Sequence, residues 1–168
     1  MQYKTFELQT IIPKLGTSGV GIVCKDGVVL AVEKKSNNKL VEGQGFEKIC
    51  EIDNHVGCMI SGLIVDSLNL VETARSEAAY HKFLYRCPIN VKPLTQSVAD
   101  LALNFGEGDI TSKRKKIARP YGVSLVFAGI DINGNPKIYQ VRFFGEFRIY
   151  YLHGDRILLI KRATLQEQ

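Results

Sequence analysis

The sequence predicts an α+β fold in which helices pack on antiparallel sheets, and three observations carry that prediction. Three pairs of apolar runs are each joined by a short turn readable from its residues, which is the signature of hairpins and therefore of antiparallel pairing. A long stretch without Gly or Pro separates the second pair from the third, and its apolar residues recur at helical spacing. The strand runs are apolar on both faces, so they call for a partner sheet on one side and helices on the other.

Gly19-Val20-Gly21-Ile22-Val23-Cys24 and Val28-Val29-Leu30-Ala31-Val32 flank Lys25-Asp26-Gly27 and form the first hairpin. Both runs are apolar throughout, which predicts a sheet covered on both sides. Residues 34–47 are polar and glycine-containing and read as a connection. Lys48 to Asp53 and Val56 to Ser61, joined at Asn54-His55, form the second hairpin. From Leu63 to Cys87 the residues Ile64, Leu68, Val71, Ala74 and Ala78 define one face of an amphipathic helix, which Pro88 ends. A second helix is expected from about Val91 to Phe105, with Leu94, Val98, Leu101, Ala102 and Phe105 inward, Asn90 as N-cap, and Gly106 or Gly108 as the stop. Gly122 to Ile132 and Pro136 to Val141, joined at Asn133-Gly134, form the third hairpin. Further on, Arg148 to Leu152 and Arg156 to Ile160 flank His153-Gly154-Asp155; they read either as a fourth hairpin or as a poorly folded, aggregation-prone segment.

Composition excludes several functional classes. The chain has 168 residues, 45% hydrophobic and 23% charged, which fits one domain at about 150 residues per domain. No apolar run approaches the roughly 20 residues of a membrane span, and residues 1–15 hold no secretory core. The four cysteines (Cys24, Cys50, Cys58, Cys87) show no C-x-x-C spacing, and His55, His81 and His153 are not paired at i, i+4. No metal site or cofactor is therefore expected, and the cysteines read as buried structural thiols in a reducing compartment. The net charge of +5 is concentrated in the run Lys113-Arg114-Lys115-Lys116. No aromatic residue is interleaved there, so a solvated loop is favoured over a nucleic-acid surface.

An ordered set of segments then resembles a known family. It comprises Lys14-Leu15-Gly16-Thr17, Asp26-Gly27-Val28-Val29-Leu30-Ala31-Val32-Glu33-Lys34, Glu47-Lys48-Ile49 with Ile52-Asp53, and Ser61-Gly62-Leu63. Asn104-Phe105-Gly106, Arg119-Pro120-Tyr121-Gly122-Val123-Ser124 and Phe127-Ala128-Gly129-Ile130-Asp131 complete it. Together they resemble α-type subunits of the 20S proteasome, of the α5 kind. The resemblance implies a four-layer αββα sandwich of the N-terminal-nucleophile hydrolase fold over residues 14–141, incomplete on its C-terminal side, with 142–168 as a divergent tail. Residues 1–13 lack the family's Tyr-Asp-Arg motif and gate segment, so the chain reads as truncated at both ends.

The same resemblance frames the functional expectation. Catalytic β-type relatives use a threonine freed as the N-terminus, whose own amine takes the proton of its hydroxyl. By position Thr17 falls at the nucleophile, Lys48 at the lysine and Glu33 at the acid. Against a β-type threonine protease stand the longer Glu33 side chain, the α-like Arg119-Pro120-Tyr121-Gly122 stretch and the α-like lead into Thr17. The resemblance instead implies a non-catalytic wall subunit of the outer ring, working in cytoplasm and nucleus. It would associate with other α and β subunits, and Lys48, Gly62 and Leu63 would form a pocket for the C-terminal tails of activator particles. Tyr80, Phe83, Leu84 and Tyr85 on the long helix would serve a subunit contact. No nucleic acid or membrane enters this reading.

Overall fold

The computed structural model describes residues 17–34, 47–103, 119, 121–142, 147–150 and 157–160. The first hairpin consists of β1 (Gly19–Val23) and β2 (Val28–Val32), closed by the Cys24 N–H donating to the Gly27 carbonyl at 2.8 Å. The second consists of β3 (Ile49–Asp53) and β4 (Val56–Gly62), with a register shift between Glu51 and Asp53. Two helices follow, α1 (Ile64–Tyr85) and α2 (Val91–Leu103). The third hairpin is β5 (Val123–Ile130) and β6 (Pro136–Val141), turned through Gly134 at φ 76°. Two short strands complete the set, β7 (Phe147–Tyr150) and β8 (Ile157–Ile160).

The strands form two antiparallel sheets, one ordered β3-β4-β5-β6-β7 and the other β2-β1-β8. The last two strands do not pair with each other. β7 adds to the free edge of β6 and β8 to the free edge of β1, so the expected alternatives of a fourth hairpin or an unpaired segment both give way to long-range pairing.

Alternation along the central strands separates two cores. Val56, Cys58 and Ile60 of β4, Val123, Leu125 and Phe127 of β5, and Tyr139 and Val141 of β6 face the helices, where they meet Leu70, Val71, Ala74, Leu94 and Val98. The intervening Met59, Val126, Ala128 and Ile138 face the small sheet and meet Val23, with Val28, Leu30 and Val32 packed alongside. Side chains alternate across a strand, so each central strand seals two layers at once. Gly19 lets the small sheet approach: a Cβ there would lie 2.7 Å from the Met59 sulfur. Among the described residues the layers are therefore helices, large sheet and small sheet, three of the four that the αββα sandwich contains.

Some expectations need correction. β1 alternates buried with half-buried positions and β2 half-buried with exposed ones, so neither is covered equally on both faces, and Val29 is 53% exposed. Gly and Val look equally apolar in sequence, so that period was hidden. On α1 the inward stripe is Ser67, Leu70, Val71, Ala74 and Ala78, while Leu68 is exposed and Ile64 half-buried. α1 ends one turn before Pro88 because Arg86 adopts a left-handed conformation (φ 57°), its N–H donating to the Lys82 carbonyl. Asn90 stands at the N-cap of α2, its carbonyl accepting the Leu94 N–H, but its side chain is turned to the hairpin. Its Oδ1 accepts the Ile132 N–H, while Asp131 Oδ1 accepts the Val91 N–H, so the helix start and the hairpin end clasp each other. Phe105, Gly106, Gly108 and the Lys113–Lys116 run lie outside the described residues. Of the cysteines only Cys58 is fully buried; Cys50 is half-buried and Cys24 and Cys87 are exposed.

Candidate functional site

Antiparallel order brings five chain segments to one end of the two sheets. Thr17 precedes β1, Glu33 follows β2, Lys48 precedes β3, Ser61 lies at the end of β4 and Gly122 precedes β5. The Glu33 N–H donates to the Ser18 carbonyl at 3.0 Å, and the Ile60 N–H to the Lys48 carbonyl at 2.8 Å. These ladder ends hold both the Thr17 and the Lys48 backbones at the seam between the sheets.

The Lys48 ammonium bridges that seam. Its Nζ donates to Thr17 Oγ1 at 2.8 Å and to the main-chain carbonyl of Glu33 at 2.9 Å. The Thr17 carbonyl in turn accepts from Ser61 Oγ at 2.7 Å. Thr17, Lys48 and Glu33, related in the sequence only by resemblance, are thus brought together. The ammonium, which has donors and no acceptor, donates to the Thr17 hydroxyl oxygen and polarises it.

Gly62 and Leu63 lie on the same edge. Gly62 sits at φ 122°, where only glycine is unstrained, and a Cβ would come 2.5 Å from the Gly122 carbonyl oxygen. The Leu63 N–H donates to that same carbonyl at 3.0 Å, and Leu63 is 38% exposed. The sheet edge here is a close main-chain contact between the start of α1 and the lead into β5.

A second polar group fastens this contact and was not anticipated. Asp66, in the first turn of α1, accepts from both terminal nitrogens of Arg119 at 2.7 Å and from the Gly122 N–H at 2.8 Å. The Arg119 guanidinium holds the Asp66 carboxyl below its usual range against the opposing effect of burial, and the Gly122 N–H adds to the lowering. A signal existed in the sequence. Asp66 stands four residues before Leu70, on the stripe that continues to Ala74 and Ala78, and a carboxylate on a core stripe requires a cation or N–H partner.

At the opposite end of the sheets a cleft of about 450 Å³ opens between β2 and the β3–β4 hairpin, bordered by Leu30, Cys50, Asp53, His55 and Ile130. His55 already bonds the Ile89 carbonyl through Nε2, at 2.6 Å. Among the described residues no buried side-chain polar atom lacks a partner, and no cluster of three or more His, Cys, Asp or Glu could hold a metal. No helix among them is long and apolar enough to cross a membrane.

Comparison with known proteins places these features in one family. The family described as "Proteasome subunit" matches residues 13–152. The chain is 43% identical over 137 residues to a probable proteasome subunit alpha type-5 of Schizosaccharomyces pombe, covering 82% of this chain and 55% of that protein. It is 43% identical over 134 residues to the alpha type-5 subunit of Caenorhabditis elegans, covering 80% and 52%. It is 41% identical over 133 residues to that of Dictyostelium discoideum, covering 79% and 54%. The chain spans about half the length of these curated relatives. Both the matched stretch and the two-sheet architecture lead to one conclusion: this chain belongs to the proteasome subunit family.

Proposed function

We propose that the chain acts as a non-catalytic α-type subunit of the proteasome core, a wall element of the outer ring that limits access to the proteolytic chamber and docks activators. The observation that carries this reading is the similarity to alpha type-5 relatives, 41–43% identical over about four fifths of this chain, and the β-type protease using Thr17, Lys48 and Glu33 is not favoured. The Thr17 hydroxyl receives a hydrogen bond from Lys48. Left uncleaved after Gly16, Thr17 would lack the free α-amine that an N-terminal-nucleophile mechanism needs as base, since an amide nitrogen has no basic lone pair.

The docking part of the proposal assigns Lys48, Gly62 and Leu63 to the pocket for activator C-terminal tails. A terminal carboxylate carries a full negative charge, so it makes a stronger, charge-assisted hydrogen bond with the Lys48 ammonium than a neutral hydroxyl or carbonyl oxygen does. Other α and β subunits would be the ring partners, in cytoplasm and nucleus. The test is native mass spectrometry of the chain, alone and with partner subunits, after exposure to a threonine-directed epoxyketone. Incorporation of an unprocessed, unlabelled chain into a larger assembly is expected. Loss of residues 1–16 with a covalent label on Thr17 would overturn the proposal.

A further inference from the structure

Cys50 on β3 and Cys58 on β4 stand directly opposite each other in the antiparallel register. Residues paired in this way project to the same face of a sheet. Here that face is the one under the helices: Cys58 is part of its core and Cys50 packs against it. We propose that Cys50 and Cys58 form a cross-strand dithiol that a peroxide converts to a reversible intrachain disulfide.

Three features of the fold suit the pair to this chemistry. The Ile60 N–H donates to the Lys48 carbonyl, so Lys48 and Ile60 are a hydrogen-bonded pair. Alternation two residues along makes Cys50 and Cys58 another such pair, with Cα atoms about 5.5 Å apart, inside the span a disulfide bridges. Directly opposed Cβ atoms lie about 4.5–5.5 Å apart against the roughly 3.8 Å a disulfide requires, so closure draws the strands together and leaves the bond strained and easily reduced. β3 has the freedom to move, because it is the edge strand of its sheet and carries a register irregularity just past Cys50.

The two thiols differ in access. Cys58 is sealed and Cys50 is half-buried, so Cys50 meets the oxidant first. Burial raises the pKa of both thiols, and the nearby Arg75 guanidinium opposes that rise at each. Both therefore stay largely protonated at neutral pH, which slows their reaction with peroxide. Hydrogen peroxide oxidises the Cys50 thiol to a sulfenic acid and is itself reduced to water. The Cys58 sulfur then attacks the Cys50 sulfur, the S–O bond breaks, and the hydroxyl leaves as a second water with the Cys58 proton.

Trypsin reads the product directly. Cleavage after Lys48 and Arg75 leaves both cysteines in one peptide spanning residues 49–75, and a further cut after Glu51 separates them unless they are bonded. The full chain is treated with hydrogen peroxide, its remaining thiols are alkylated, and the peptides are mapped with and without reductant. The expected result is a 49–75 peptide lighter by two hydrogens, held together after cutting at Glu51 and separated by dithiothreitol. This product should be dominant and absent from Cys50→Ser, a change at a half-exposed edge position that the fold tolerates. Circular dichroism before and after oxidation reports whether the chain stays folded. A folded chain in which Cys50 advances to sulfinic acid, or in which Cys24 or Cys87 takes the first disulfide, would overturn the proposal.

Discussion

Replacing Asp66 with alanine tests whether the carboxylate that joins α1 to the lead into β5 secures that edge of the molecule. Asp66 is 8% exposed and accepts two bonds from Arg119 and one from the Gly122 N–H. The Arg119 side chain is 57% exposed, so water takes it back readily and its share is discounted to about 0.5–1 kcal/mol. The Gly122 N–H is buried and would lose its charged acceptor outright, at a cost of about 1.5–3 kcal/mol. Asp66→Ala should therefore lower stability by about 2–4 kcal/mol in all. Asp66→Asn keeps an oxygen for Gly122 and should cost about 1 kcal/mol. Urea unfolding followed by far-UV circular dichroism gives both numbers. The pH dependence supplies a sign. The folded-state pKa of Asp66 is depressed, so its contribution is complete above the unfolded value of about 3.9 and is lost as pH falls through the folded value. The gap between wild type and Asp66→Ala should shrink below about pH 4. An alanine variant within about 0.5 kcal/mol of wild type at pH 7, or a gap unchanged down to pH 3, would refute the reasoning.

Three further outcomes are expected. Gly62→Ala should cost about 2–3 kcal/mol in the same urea assay, since its φ of 122° and the nearby Gly122 carbonyl both exclude a Cβ. Asn90→Ala and Asp131→Ala should each cost about 1 kcal/mol, and the double variant should fall short of their sum by at least about 0.5 kcal/mol, because both clasp the same two segments. Lys48→Ala in an assembled ring should weaken binding of an activator-tail peptide by about 1–3 kcal/mol, read by fluorescence anisotropy; unchanged affinity would remove Lys48 from the pocket.

The three hairpins were legible because each turn is written in adjacent residues: Asp26-Gly27, Asn54-His55 and Asn133-Gly134. The destinations of β7 and β8 were not. Both are short apolar runs beside a glycine, and local reading favours the nearest partner, whereas the open edges of β6 and β1 offered longer-range ones. The inward stripe of α1 was misplaced at Leu68 because stepping by fours from Ile64 drifts out of phase with a 3.6-residue turn. Asn90 was read correctly as the residue at the N-cap of α2, yet its side chain serves the hairpin and not its own helix. At the candidate site, 31 residues separate Thr17 from Lys48, so no spacing rule could join them and only resemblance did. Ser61 and the partners of Asp66 escaped because a side chain's long-range contacts leave no mark on local pattern.

The pairing of β1 with β8 also has a temporal side. β1 is the middle strand of its sheet, yet one neighbour follows it at once and the other arrives more than 130 residues later in the chain. On a ribosome adding about 5–20 residues per second, Val20 and Ile22 wait for Leu159 and Ile157 for about 7–28 seconds with one hydrogen-bonding edge open. Such an edge is a template for stray strands, so the nascent polypeptide spends that interval dependent on whatever chaperone can shield it.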